Sequence, residues 1–231
     1  MALSLGFVSC GSDDDDSSTS NSSIKDLGNG IYNVNGHKFV DLGLPSGLLW
    51  AETNIGAATA ADDGCYFAWG ETDMTTKSSY DWSTYKYGTS YDNTTKYNYT
   101  DGKTVLDKED DAAYVNWGSS CRMPTNDEFT ELRNSSYCTW TWTSQTTSLG
   151  SSVQGYKVTS VKNGNSIFLP ASGYRYDGNL YNLGSYGFYW SSTLYSSRSG
   201  SAYCLLFDIG YYDRFGGSRY LGHTVRPVAE L

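Results

Sequence analysis

The sequence predicts an α+β domain in which short strands outnumber one or two helices. Aromatic residues make up 16% of the 231 residues, and aromatic side chains favour strands and each bury roughly 150–250 Å² in a core. A single segment carries a strong helix-start signal, and Gly, Pro and Asn turn residues interrupt the remaining sequence at short intervals. Charged residues make up only 18%, below the roughly 25% of ordinary globular domains. This composition favours an all-β or loop-rich extracellular protein over a helical cytosolic one.

The first residues predict export rather than a folded element. The short apolar stretch that ends in Phe7-Val8-Ser9-Cys10 resembles a bacterial lipobox, in which the cysteine becomes the acylated N-terminus. The acidic run Asp13–Asp16 follows and resembles the surface-export signal of lipoproteins from certain Gram-negative anaerobes. An ordinary N-terminal peptide with a stray cysteine, followed by a solvated charge run, is the alternative.

Three regions follow from this interpretation. Residues 1–10 are predicted to be a lipoprotein signal segment with lipidation at Cys10, and residues 11–23 an acidic and Ser-rich tether that cannot pack a core. Residues 24–231 are predicted to form one ligand-binding domain. The expected location is therefore the outer membrane, with the domain lipid-anchored and exposed at the cell surface.

The first part of the domain carries strand and turn signals. Residues 24–40 predict two short strands around a turn, with Gly28-Asn29-Gly30 and Asn35-Gly36 as turn sequences. Residues 40–50 predict a strand, a turn and a second strand that ends at Trp50, because two glycines and a proline forbid a long helix there.

The middle of the chain carries a long loop and the helices. Residues 75–103 are rich in Tyr, Thr, Ser, Lys and Asn, which predicts a long surface loop that packs by its aromatic side chains. Residues 107–114 predict one short helix, since acidic residues suit a helix start. The clearest helix begins at Thr125, which forms a capping box with Glu128, and Phe129 and Leu132 then share one face.

After Asn134 the chain alternates between predicted strands and polar–aromatic runs. The predicted strands cover residues 138–142, 156–161, 166–169, 187–191, 202–208 and 223–228. Three runs rich in Tyr, Ser, Asn, Gly and Arg lie between them, at residues 174–186, 194–201 and 211–220. These runs are expected to be loops.

Several sequence blocks resemble known families across residues 38–231. Residues 122–125 with Glu128 and Phe129 resemble the helix start of formylglycine-generating-enzyme-type C-type-lectin folds. Residues 40–50, 66–71 and 110–117 resemble the Fibrobacter-type major paralogous domain of surface lipoproteins. The C-terminal blocks are similar to the variable region of target proteins of diversity-generating retroelements, and comprise Tyr189–Ser192, Ala202-Tyr203, Leu206-Phe207, Gly222 and Val225–Val228.

The resemblance implies a C-type-lectin-like fold, with small twisted antiparallel sheets, one or two flanking helices and long loops. It further implies that a ligand binds on the loop face near the C-terminal strands, and that chosen positions there are randomised by adenine-directed mutation. Tyr offers a large, rigid, amphipathic contact, and Arg donates hydrogen bonds from a planar fork. The predicted contact residues lie between the framework strands: Tyr176, Asp177, Tyr181, Asn182, Tyr195, Arg198, Tyr211, Tyr212 and Arg214.

The expected partner is a protein or glycan ligand at the cell surface. Ordinary β-loops in a Tyr-rich protein are the alternative, and Tyr189 and Tyr203 are expected in the core. Two other functions stay open: a structural or adhesin component of the outer envelope, and an enzyme of the formylglycine-generating type, which would need a reactive cysteine pair.

The sequence lacks the motifs of several other function classes. A net charge of −9 should repel nucleic acid, and no apolar stretch is long enough to span a bilayer. The only histidines are His37 and His223, and zinc-protease, thiol-redox and α/β-hydrolase motifs do not occur. No catalytic residue, cofactor or metal is therefore predicted.

Two clusters leave a choice open. The acidic residues at 107 and 109–111 suit a helix start better than a calcium site, since the EF-hand spacing of oxygen ligands is missing. After Cys10, four cysteines allow three pairings. A Cys121–Cys138 bridge is slightly favoured over free buried thiols.

Overall fold

The structure is a computed structural model that describes residues 24–195 and 197–231. It shows that the predicted α+β class is wrong: strands hold 41% of the described residues and helices 8%, so the fold is mostly β with curled antiparallel sheets. The predicted lipidation at Cys10 and the tether lie outside the described residues. In the described part, no helix is long and apolar enough to cross a bilayer.

Across residues 24–195 and 197–231, the regular structure consists of sixteen strands, two α-helices and one 3₁₀ helix. The strands are β1 Ile24–Gly28, β2 Ile31–Val34, β3 His37–Asp41, β4 Leu49–Ala51, β5 Gly88–Ser90, β6 Asn93–Thr94, β7 Cys121–Arg122, β8 Cys138–Thr146, β9 Ser152–Ser160, β10 Ser166–Pro170, β11 Tyr174–Tyr176, β12 Asn179–Tyr181, β13 Gly187–Leu194, β14 Ser201–Asp208, β15 Tyr211–Ser218 and β16 Val228–Ala229. The helices are the 3₁₀ helix Lys108–Asp110, α1 Ala112–Trp117 and α2 Asn126–Leu132.

Both α-helices are about two turns long, which is the physical reason that the α+β prediction fails. The capping box is confirmed: the Thr125 hydroxyl accepts from the Glu128 amide at 3.3 Å, and the Glu128 carboxylate accepts from the Thr125 amide at 2.7 Å. A capping box fixes where a helix starts but not how far it runs. α1 ends because Gly118 takes a φ of 91°, outside the helical region.

The largest sheet is antiparallel and has the strand order β1-β2-β3-β4-β16-β7. Residues 24–41 form three strands rather than the two predicted, and the predicted turns are confirmed by left-handed φ angles at Asn29 and Asn35. Strand β16 lies inside this sheet, with Val228 opposite both Trp50 of β4 and Arg122 of β7. Of the predicted strand at 223–228, only Val228 lies in β16, whereas His223 and Thr224 form isolated bridges to Phe67 and Tyr189.

Two three-stranded sheets, β10-β9-β8 and β13-β14-β15, and the hairpins β11–β12 and β5–β6 complete the fold. The run 211–220 was expected to be a loop, but its first eight residues form β15. This strand pairs with β14 without interruption, from Ser201 opposite Ser218 to Asp208 opposite Tyr211. Most of the run 174–186 is likewise a hairpin rather than an open loop.

Aromatic side chains hold the irregular segment between β4 and β5 against the sheets. The hydroxyl of Tyr66 donates to the Ser172 carbonyl at 2.6 Å, and that of Tyr80 donates to the Tyr66 carbonyl at 2.9 Å. The indole of Trp69 donates to the Ser191 carbonyl at 2.8 Å. Buried carbonyls that no strand satisfies thus find donors on Tyr and Trp, which accounts for the aromatic-rich composition.

Candidate functional site

The structure divides the nine predicted contact residues into three groups. Tyr176, Asp177, Tyr181 and Asn182 lie on or just after the β11–β12 hairpin. A second group surrounds one depression and comprises Tyr195, Arg198 and Arg214. Tyr211 and Tyr212 begin strand β15.

The hairpin β11–β12 presents its tyrosines to solvent. Tyr176 is 42% exposed and Tyr181 is 39% exposed. The backbone of Arg175 bonds to Gly222 in both directions, at 2.8 and 2.9 Å, so the hairpin is fixed to the segment that follows β15. Asp177 and Asn182 both have left-handed φ angles, 49° and 58°, which Asp and Asn adopt more readily than most residues.

A row of aromatic rings leads from this hairpin across the surface. We call it the aromatic track, and its rings follow in the order Tyr181, Tyr176, Tyr220, Trp82 and Tyr91. Successive ring centroids are 6.3, 6.1, 5.0 and 5.2 Å apart. The guanidinium of Arg198 lies 5.8 Å from the Tyr91 ring, so the track ends at the second group of predicted residues.

The second group lines an open depression of about 450 Å³, which we call the Arg depression. Its lining residues are Tyr195, Ser197, Arg198, Ser201, Tyr203, Arg214, Phe215 and Gly216. Arg214 lies with its guanidinium 5.9 Å from the Tyr203 ring. Tyrosine and arginine side chains therefore line the same space.

A second depression of about 290 Å³, here called the Tyr99 depression, adjoins the first. The two share Tyr195 and Tyr203, whose ring centroids are 4.8 Å apart. Tyr99 is 76% exposed and forms part of the lining with Leu194 and Thr104. The Tyr195–Tyr203 pair thus stands between a cationic depression and a more apolar one.

Glycines in β15 let the rings pack directly on the strand. A Cβ at Gly216 would lie 2.9 Å from the Tyr195 ring, and one at Gly217 would lie 3.0 Å from the buried Trp190 ring. The first distance is shorter than real Cβ contacts and the second is tighter than most of them, so a larger residue at either position would require a ring to shift. Gly216 therefore helps to set the position of Tyr195 in the depression.

Tyr211 and Tyr212 do not join the other predicted residues. Tyr212 lies four residues before Gly216 on β15, which corresponds to about 13 Å along the strand. Its ring stacks on Trp140 with centroids 4.6 Å apart and 11° between planes, against the core cluster below. Tyr211 is 50% exposed but lies at the far end of the strand.

Sequence reasoning missed the residues that connect the groups. Trp82, Tyr91 and Tyr99 come from the segment 75–103, which was predicted as a long surface loop but was not assigned to the ligand-binding surface. Tyr203 was expected in the core together with Tyr189. Tyr189 is fully buried, whereas Tyr203 is half-buried and lines both depressions.

Arg219 holds these parts together. It is fully buried, and its guanidinium donates to the Tyr85 hydroxyl at 2.7 Å and to the carbonyls of Lys96, Tyr97 and Ser199 at 3.0, 3.2 and 2.8 Å. The guanidinium also lies 4.8 Å from the Trp69 ring. It therefore fixes the segment that carries Trp82 and Tyr91 against the connection between β13 and β14.

The acidic residues around the 3₁₀ helix form an ion-pair network. Lys96 lies 2.7 Å from an Asp107 oxygen and 2.5 Å from an Asp110 oxygen. Although burial acts to raise it, hydrogen bonds from Lys96 and Tyr87 lower the pKa of Asp110 to about 2. Asp111 instead caps α1, as expected for a helix-start cluster. The Lys96 ammonium occupies the position among Asp107, Glu109 and Asp110 that a metal ion would take.

The histidines and cysteines contribute to packing: both histidine rings stack on tryptophans, and three of the four cysteines at residues 24–231 are buried. Burial lowers the pKa of His223 to about 3, and its ring stacks on Trp190 at 3.9 Å. The slightly favoured Cys121–Cys138 bridge is wrong, since all four cysteines in the described residues are free thiols. Burial raises the pKa of Cys121 to about 12 and that of Cys138 to about 11, which works against thiolate formation.

Comparison with known proteins gives one finding. A family model described as a domain of unknown function, DUF8237, matches residues 154–228. No curated protein and no solved structure matches the chain significantly. The matched segment runs from β9 to β16 and contains all nine predicted contact residues, so the chain resembles that family in the part that carries the Arg depression and the hairpin.

Proposed function

We propose that this protein is a cell-surface recognition protein that binds its ligand along the aromatic track and in the two depressions at its end. The observation that supports the proposal most strongly is the continuity of this surface. Residues from three separate parts of the chain place each ring within 6.3 Å of the next. The row leads through Arg198 to the depression that Tyr195 and Tyr203 line. Tyr and Trp give large contact areas at low conformational-entropy cost.

Alanine substitutions on the two halves of the surface test the proposal. The full chain is applied to a printed array of purified polysaccharides and to a displayed random-peptide library. At least one ligand should bind. Tyr195→Ala should lower the affinity for that ligand tenfold or more, because Tyr195 lines both depressions. Tyr176→Ala should lower the affinity for extended ligands that reach the hairpin.

Tyr211→Ala is the control, because Tyr211 is an exposed tyrosine, 50% against 42% for Tyr176, but lies at the other end of β15. It should bind as the unsubstituted chain does. Equal binding by all three variants, or equal loss in the control, would contradict the proposed surface.

The location is part of the proposal. The lipobox-like sequence at Cys10 and the acidic run after it support a lipid-anchored, surface-exposed protein of the outer membrane. In cells grown with labelled palmitate, the unsubstituted chain should incorporate the label and the Cys10→Ala variant should not. External protease should digest the domain on intact cells, and full protection would contradict surface exposure.

Diversification of the surface is proposed on the sequence resemblance and on the exposed Tyr, Asn, Ser and Arg of this region. The test is the neighbouring DNA. A reverse-transcriptase gene together with a near-copy of the 3′ coding region that differs at adenines would support it. A genome with neither would contradict diversification and would leave the binding proposal intact.

A further inference from the structure

We infer that the Arg depression receives the acidic group of a saccharide, so that the ligand of the proposed surface is a carboxylated or sulfated glycan. The inference rests on the proposed binding function and names its ligand class. Three observations carry it: two unpaired guanidiniums, the ring faces beside them, and the concave shape of the surface.

The charges are the first observation. Arg122 and Arg133 pair with carboxylates, and Arg219 and Arg226 are fully buried with hydrogen bonds to carbonyls. Arg198 and Arg214 are exposed, and among residues 24–195 and 197–231 neither has a carboxylate within 4.0 Å. Two free cations on one depression of a chain with net charge −9 indicate an anionic ligand.

The geometry of these two residues suits an oxyanion. Arg214 packs against the Tyr203 ring and Arg198 against the Tyr91 ring, at 5.9 and 5.8 Å. Packing against an aromatic ring restrains a guanidinium while its N–H edge stays free to donate. A carboxylate or a sulfate presents oxygens that such a planar fork can bind in pairs.

The tyrosines favour a sugar as the carrier of the anion. Tyr195 and Tyr203 present half-buried rings to both depressions, and Ser197 adds a hydroxyl at the rim. A sugar ring has an apolar face that can stack on such a ring, and it has edge hydroxyls that need polar partners. The adjoining Tyr99 depression offers a second aromatic face for the next sugar of a chain.

The shape argues against a globular protein partner. A stable protein interface buries about 800 Å² on each side, over a surface broad enough to dock a whole domain. Here the tyrosines and arginines line two depressions of about 450 and 290 Å³. Binding sites for small molecules have volumes of this size.

Calorimetry with the full chain tests the inference. The probes are an oligogalacturonate, a sulfated galactan oligosaccharide, a neutral galactan oligosaccharide and an oligoglutamate peptide. At least one of the two acidic saccharides should bind, and the neutral one should bind at least tenfold more weakly. Raising the salt concentration from about 50 to about 500 mM should weaken the binding of the acidic saccharide, because salt screens exposed charges.

Substitutions separate this inference from the proposed function. Arg198→Gln with Arg214→Gln should lower the affinity for the acidic saccharide tenfold or more. Lys157→Gln removes one exposed charge on β9 and should have little effect. Unchanged thermal unfolding would show that the exposed arginines do not support the fold.

The possible results lead to different conclusions. If Tyr195→Ala abolishes saccharide binding but the arginine variants do not, the anionic ligand is wrong and the recognition surface stands. Preferential binding of oligoglutamate, or equal binding of the neutral saccharide, also overturns the inference. If no array polysaccharide or library peptide binds, the proposed function itself fails.

Discussion

At the residue scale, Arg219 shows how a buried cation can be held without a carboxylate. Its four hydrogen bonds go to one hydroxyl and three carbonyls, and aromatic rings surround it. The carbonyls that accept these hydrogen bonds lie in two separate segments: Lys96 and Tyr97 in the aromatic loop, and Ser199 in the connection between β13 and β14. Arg219 therefore contributes several of the hydrogen bonds that fix the aromatic loop to the connection between β13 and β14.

We expect Arg219→Met to lower the free energy of unfolding by about 3 kcal/mol or more, because hydrogen bonds to a charged group are lost and buried carbonyls are left unsatisfied. Urea unfolding measures the change. Arg214→Met is the control, since this arginine is exposed and should alter stability by less than about 0.5 kcal/mol. Similar stability of both variants would contradict the structural role of Arg219.

Asp110 predicts an acid dependence of stability. Its pKa falls from the ordinary 3.8 to about 2 in the folded chain, where burial opposes and hydrogen bonds from Lys96 favour the ionised form. A lowered folded-state pKa contributes stability that is present above about pH 4 and is lost as the pH falls toward 2.

We therefore expect Asp110→Asn to be less stable than the unsubstituted chain at pH 6, with a gap that narrows between pH 4 and pH 2. The measurement is the free energy of unfolding across this range. A gap that stays constant with pH would show that the ionised carboxylate does not contribute.

At the scale of the element, β15 explains a failed sequence prediction. Its Gly216-Gly217 pair and polar neighbours are typical of a loop, so the strand was not predicted. The pairing with β14 overrides that composition, because eight consecutive residues are in register. The glycines serve ring packing rather than a turn, and the contact role predicted for this run stays a prediction.

The two glycines should respond differently to alanine. Gly217→Ala meets the buried Trp190 and His223 rings, and overpacking of about 1–3 kcal/mol should lower the melting temperature by several degrees. Gly216→Ala meets the half-buried Tyr195 ring, which can move into solvent. It should leave the melting temperature nearly unchanged but weaken ligand binding. Equal melting temperatures for the two variants would contradict this account.

At the scale of the whole molecule, local features were predictable and distant pairings were not. The turns at Asn29 and Asn35, the capping box at Thr125 and most strands from β8 to β14 depend on neighbouring residues, and the sequence shows them. The helices were too few and short for the α+β class, since a start signal does not report length.

The site follows the same division. The composition of the C-terminal runs pointed to Tyr195, Arg198 and Arg214, which the structure brings to one depression. The aromatic track joins Trp82 and Tyr91 to Tyr176 and Tyr220, residues that are far apart along the chain. No local pattern encodes such an assembly, because it depends on the sheets and on Arg219.

Strand β16 predicts a sharp boundary for truncation. Deleting residues 228–231 removes the partner of both β4 and β7, which should unfold the largest sheet. Deleting only residues 230–231 removes two exposed residues and one long ion pair between Arg122 and Glu230, so the fold should persist. Circular dichroism and proteolysis compare the two. Native spectra for both would contradict the central role of β16.

The position of β16 also sets the order of events during translation. Leu49 of β4 and Cys121 of β7 both pair with Ala229 of β16. Neither strand can therefore form this pairing until the ribosome has made residue 229. At roughly 5–20 residues per second, β7 waits several seconds. The largest sheet therefore stays incomplete until residue 229 has been made, and a nascent chain stopped before this residue should lack the native pairing of β7.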